Sequence, residues 1–118
     1  KGRALLRIIV AEIDSGRISP TDKKTFIPYS EALGKLGAPK PWFFAGKRLQ
    51  PMGLTELNEW TRDSVGIPHV CGLIVNKKSG EPSDMYAISH GYPAGGNWRA
   101  WWTKQVRASV AFDWRQYV

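Results

Sequence analysis

At 118 residues the chain has the length of one domain, long enough to bury a core without disulfides or metal. Hydrophobic residues at 42% and charged residues at 23% exclude a disordered chain, and a single cysteine excludes an internal disulfide framework. Seventeen Lys/Arg against ten Asp/Glu give a net charge of +7, which suits a polyanion, nucleic acid being the usual one.

The charge is uneven. Residues 1–50 hold ten Lys/Arg against four acids, residues 51–96 three against five, and residues 97–118 four against one. The basic surface is therefore expected from the first fifty residues and the C-terminal segment, the alternative being a solvated face that aids solubility. No Cys/His cluster has zinc spacing, no apolar run approaches membrane-spanning length, and no signal peptide is visible. The expectation is one domain over 1–118, a module of a larger protein in a reducing, cytoplasmic setting, with no cofactor, no metal and no membrane partner.

In chain order, Arg3–Asp14 places Leu5, Leu6, Ile9 and Ile13 at helical spacing and ends at Ser15-Gly16, although Ile8-Ile9-Val10 leaves a strand open. Ile18–Lys24 reads as a polar loop. Thr25–Ile27 reads as a short extended piece, because Pro28 biases Ile27 toward β geometry. Tyr29–Leu36 is a short helix stopped by Gly37. In Ala38–Gly46, Pro39 and Pro41 prevent regular helix and Trp42, Phe43 and Phe44 follow directly. These aromatics either pin the loop to the core or stack on a base.

Leu54–Val65 is a second strong helix, with Thr55, Asn58 and Arg62 together on one side and Gly66 and Pro68 ending it. Val70–Val75 reads as a strand, Asn76–Gly80 as a turn and Met85–Ser89 as the returning strand. His90–Asn97 is a loop and Trp98–Val110 a final helix, packed through its tryptophans. The fold expected from this order is α+β: a winged helix-turn-helix, helices plus a small antiparallel β-hairpin, whose wing tip carries Lys77 and Lys78 toward backbone phosphates.

Four segments carry a family resemblance: ALLRIIVAEI at Ala4–Ile13, YSEALGKLG at Tyr29–Gly37, LTELNEW at Leu54–Trp60 and IPHVCGLIVNKKSG at Ile67–Gly80. They resemble the DNA-binding domain of the alkylguanine-DNA alkyltransferases and alkyltransferase-like proteins, with its Y-x-x-[IL]-A helix and I-P-C-H-R-V stretch. The nucleophile departs from that pattern. Aligning Pro68 puts His69 where the family has its reactive Cys and Val70 where it has His. Cys71 falls two residues late, about 6.5 Å away on a strand. The resemblance thus implies the DNA-binding architecture without the alkyl transfer, and Cys71 reads as a small buried residue.

Weighed as an enzyme, the chain offers His69 and His90, with no carboxylate fixed beside either and no phosphate-binding glycine fingerprint. The expected function is non-catalytic duplex DNA binding. Lys35, Lys40, Lys47, Arg48, Lys77 and Lys78 are expected on phosphates, Thr55, Asn58 and Arg62 on base edges, and Trp42 and Phe43 as base-stacking groups. A small basic nuclease or toxin domain and a protein-interaction module with an aromatic surface are the alternatives.

Overall fold

The computed structural model describes residues 1–91 and 97–118, and the loop expected over His90–Asn97 therefore lies largely outside the described residues. Helix α1 (Gly2–Asp14) buries Leu5, Leu6, Ile9 and Val10, so the helical spacing prevails over the β-branched run. A 3-10 turn (Lys23–Thr25) leads to strand β1 (Ile27–Pro28), which feeds α2 (Tyr29–Lys35). Pro28 stands just before the first helical residue, where its extended φ/ψ starts α2. Helix α3 (Ala45–Leu49) passes through a π turn (Gln50–Leu54) into α4 (Thr55–Asp63). A second 3-10 turn (Val70–Leu73), strand β2 (Ile74–Val75), α5 (Asp84–Ser89) and α6 (Trp98–Ala111) complete the order.

The winged-helix expectation is not met. The only sheet among the described residues is β1 paired with β2, parallel, with Ile27 opposite Ile74 and Pro28 opposite Val75. Met85–Ser89, expected as the returning strand, is the helix α5, and no antiparallel hairpin is present among the described residues. The physical reason is visible in the burial. Adjacent Tyr86 and Ala87 are both buried while Met85 and Ile88 are exposed, which is a helical pattern and not an alternating one. Upstream, Val70–Leu73 is wound into the 3-10 turn, so only Ile74 and Val75 remain extended, and their partner is the edge at Ile27. The class stays broadly α+β, mostly helical. The expectation that tryptophans pack the C-terminal helix holds for Trp98 and Trp102, both buried.

One core cluster joins α1, β1, α2, α4, the 70–73 turn, β2, α5 and α6. Its middle is Gly72. The Trp102 indole Nε1 donates to the Gly72 carbonyl at 2.8 Å, and the Tyr86 hydroxyl donates to the His69 carbonyl at 3.0 Å. Both rings lie so close that a Cβ on Gly72 would meet the Tyr86 hydroxyl oxygen at 2.7 Å and Trp102 Cδ1 at 2.9 Å. Only glycine leaves room for both donors. Among the described residues, no helix is long and apolar enough to cross a membrane.

Gly72→Ala is expected to lower stability by about 1–3 kcal/mol, the usual cost of overpacking a filled core. Denaturant unfolding checks this, and a stability unchanged from the parent would mean that α5 and α6 are not clamped on this turn.

Candidate nucleic-acid interface

The segment between α2 and α3 is held from inside by Trp42. Its indole Nε1 donates to the Ala38 carbonyl at 2.9 Å, and its ring lies on Gly34, where a Cβ would stand 2.7 Å from ring carbon Cζ2. Lys40 Nζ sits 5.0 Å from the Trp42 ring centroid, and Arg48 Nη1 donates to the Pro41 carbonyl at 2.9 Å. Of the expected stacking pair, Trp42 is thus part of the scaffold and Phe43 is free, 69% exposed. Phe44, the third aromatic of that run, is 82% exposed and takes a left-handed φ of 55° at the start of α3. A phenylalanine in that backbone region is uncommon, and here it turns an apolar ring toward water.

The turn after β2 faces this corner. Gly80 N donates to the Asn76 carbonyl and Asn76 N to the Glu81 carbonyl, both at 2.8 Å, closing a tight loop that leaves Lys77 and Lys78 exposed. Lys23 braces the loop from the far side, its Nζ donating to the Ser79 carbonyl at 2.9 Å. Between the turn and the start of α3 runs an open cleft of about 490 Å³, walled by Tyr29, Ser30, Ala45, Gly46, Lys77 and Lys78. Lys47 follows directly on the α3 wall. Lys77, Lys78 and Lys47 make no ion pair among the described residues.

Two expected contacts are otherwise engaged. Lys35 Nζ lies 2.7 Å from Glu12 Oε1 and 4.0 Å from Glu31 Oε2, while Arg17 forks Glu31 and reaches Glu12. Hydrogen bonding to Glu12 raises the Lys35 pKa. This network fastens α1 to α2 and takes Lys35 out of the free positive charge. Arg62 forks the carboxylate of its neighbour Asp63, with Nε at 2.9 Å.

Thr55, Asn58 and Arg62 do lie together, as their spacing predicts, lining one recess of about 270 Å³ with Glu59, Tyr86 and Ser89. Because α5 lies across α4, these side chains face an indentation and not an open helix surface. The Asn58 side-chain oxygen is buried there without a partner. Tyr29 walls both the recess and the basic cleft, and its hydroxyl accepts from Ser83 N at 2.8 Å. Cys71 also borders the recess, and burial pushes its thiol pKa up, away from thiolate.

The two histidines meet each other. Their ring centroids are 4.1 Å apart, and Trp101 lies 5.3 Å from His69 and 5.2 Å from His90. His90 Nδ1 donates to the Tyr86 carbonyl at 2.7 Å, which leaves Nε2 as its lone-pair nitrogen; that atom and His69 Nδ1 are buried without partners. Burial, with His90 alongside, lowers the His69 pKa to about 4. Burial lowers the His90 pKa too, partly offset by the Tyr86 carbonyl, with Arg62 adding to the decrease. Among the described residues no carboxylate hydrogen-bonds either ring, and no group of three or more His, Cys, Asp or Glu is placed to hold a metal ion. No family model matches this chain, and neither does any curated protein or solved structure.

The His69 pKa gives a signed expectation. The unfolded chain takes up its proton near pH 6.5 and the folded one only near 4. Stability from the neutral ring is therefore complete above about pH 6.5 and lost progressively as pH falls to about 4. For this half-buried ring the loss is about 1–2 kcal/mol after solvent screening. Chemical denaturation from pH 7.5 to 4 should show this slope in the parent and a flatter one in His69→Phe. Parallel curves would count against the burial argument.

Proposed function

We propose that this chain binds duplex nucleic acid, DNA foremost, without catalysing a reaction on it. The observation that carries the reading is that Lys77 and Lys78 wall an open cleft opposite Ala45 and Gly46, which in the chain lie between exposed Phe43 and Phe44 on one side and Lys47 on the other. Ammonium groups free of carboxylate partners release counterions when they meet phosphates, and this supplies sequence-independent affinity. Phenylalanine rings beside them offer stacking faces to a base that is unpaired or displaced. The net charge of +7 acts in the same direction. Lys40 and Arg48, tied to the same loop by a ring and a carbonyl, extend the positive edge.

The recess behind Tyr29 gives this reading a finer form. It is of a size to take one base turned out of the stack, and exposed Thr55 on its wall offers a hydroxyl to a base edge. Glu59 on its rim makes an intact duplex a poor occupant and favours a single base over a phosphate. A modified or mispaired base, cheaper to unstack, is the substrate that suits it. An aromatic corner of this kind also serves protein partners, and the same experiment separates the two.

Binding of duplex DNA, duplex RNA and single strands across a salt series tests the proposal. Lys77→Glu/Lys78→Glu should weaken duplex binding and flatten the slope of log K against log salt by at least about 1.8, at about 0.9 for each phosphate no longer neutralised. Phe43→Ala/Phe44→Ala should cost about 1–3 kcal/mol on a mismatched duplex and less on a fully paired one. A parent chain with no nucleic-acid affinity at low salt, but with tight protein association, would replace this reading with the interaction module. Nucleic-acid turnover that disappears in His69→Ala or His90→Ala would replace it with a nuclease.

A further inference from the structure

A second cleft lies on the other side of Lys23, between residues 20–26 and α6. Its volume is about 310 Å³, and its walls include Thr21, Lys23, Phe26, Trp102, Thr103 and Arg107. The floor is apolar, Phe26 meeting Trp102 edge to face at 6.0 Å. The rim is cationic. Arg107 is exposed and has no ion pair among the described residues. Lys23 spends one ammonium proton on the Ser79 carbonyl and keeps two for other acceptors. Of the nearby acids, Glu81 is forked by Arg99 at 2.6 and 3.0 Å, while Asp22 keeps its charge and caps the 3-10 turn, accepting from Lys24 N at 3.1 Å. Ser79 borders the basic cleft and Lys23 borders the second one, so a single lysine joins the two.

We infer that the phosphate-contacting surface continues from Lys77 and Lys78 across Lys23 into this cleft, where Arg107 binds a phosphodiester of the same nucleic acid. The inference rests on the nucleic-acid reading above and extends it to a side of the molecule that neither the basic turn nor the aromatic corner covers. Lys23 is the bridging charge, and the Thr21 hydroxyl borders the oxyanion, while the Thr103 hydroxyl is spent on the Arg99 carbonyl at 3.0 Å. The longest extent of the molecule is 34 Å. At about 3.4 Å per base pair, one chain laid along a duplex covers at most about ten pairs.

The test is a salt series on a 12-base-pair duplex with Arg107→Gln, alongside Lys77→Gln/Lys78→Gln and with Arg107→Lys as the charge-keeping control. Arg107→Gln should lower the slope by about 0.9 and weaken binding about five- to tenfold at 0.1 M salt, and Arg107→Lys should restore most of the loss. An unchanged slope in Arg107→Gln, with a reduced one in the Lys77/Lys78 variant, would overturn this inference and leave the proposed function standing. A parent chain without duplex affinity would remove both. A deoxynucleoside monophosphate in millimolar excess should not displace the duplex. Displacement that Arg107→Gln abolishes would make this a site for a free nucleotide and overturn the backbone assignment.

Discussion

Two hydrogen bonds set the geometry of the middle of this molecule: Tyr86 onto the His69 carbonyl and Trp102 onto the Gly72 carbonyl. Each donor is a buried aromatic group that would cost about 1–3 kcal/mol if left without an acceptor. Together they favour winding Val70–Leu73 as a 3-10 turn whose carbonyls reach α5 and α6. A fully extended strand through these residues would move the two acceptors apart. Strand β2 consequently begins only at Ile74, pairs with Ile27, and delivers the 76–80 turn beside the start of α3. The basic cleft is a consequence of that placement.

The same constraint explains what is legible in the sequence. Helices α1, α2, α4 and α6 are, because their apolar residues recur at helical spacing and, for the first three, glycine or proline follows within a few residues of the end. The hairpin is where sequence and structure part. Six residues from Asp84 to Ser89 are too few for periodicity to separate helix from strand, and the deciding fact, burial of Tyr86 against Gly72, is a contact between distant parts of the chain. The partner of β2 is equally hidden, because parallel pairing depends on where α2 and α4 carry the chain in between. At the site, residue types are legible and partners are not. Lys35 and Lys77 look alike in sequence, yet one meets Glu12 and the other meets water.

Ion pairing therefore sorts the cations more sharply than composition does. Exposed pairs stabilise a fold little, but they cancel charge locally. Arg17 and Lys35 are cancelled by Glu12 and Glu31, Arg99 by Glu81, Arg62 by Asp63, and Arg115 by Asp113. Lys23, Lys47, Lys77, Lys78 and Arg107 are left without a carboxylate partner among the described ion pairs, as are the side chains of Lys1, Arg3, Arg7, Lys24, Lys40, Arg48 and Lys104. Lys77 and Lys78 border one cleft and Lys23 and Arg107 the other, with Lys23 donating to the Ser79 carbonyl between them. A low-dielectric wall of Phe26, Trp102 and Tyr29 behind these charges focuses their field outward.

The register of Cys71 bears on chemistry in a way the sequence could only half anticipate. Measured along a strand, its thiol would fall on the same face as His69, two residues on. In the 3-10 turn it turns instead toward the recess under Tyr29, while His69 turns toward His90 and Trp101. Thiol and imidazole thus serve different neighbours. Burial disfavours the charged form of each, thiolate in one case and imidazolium in the other. A nucleophile needs its base within hydrogen-bond reach and a group to orient that base; here Gln105 holds the His69 backbone N–H and leaves its ring to the aromatic box. What these residues contribute is a neutral wall between the recess and the aromatic box, with imidazole and thiol both held in their uncharged forms.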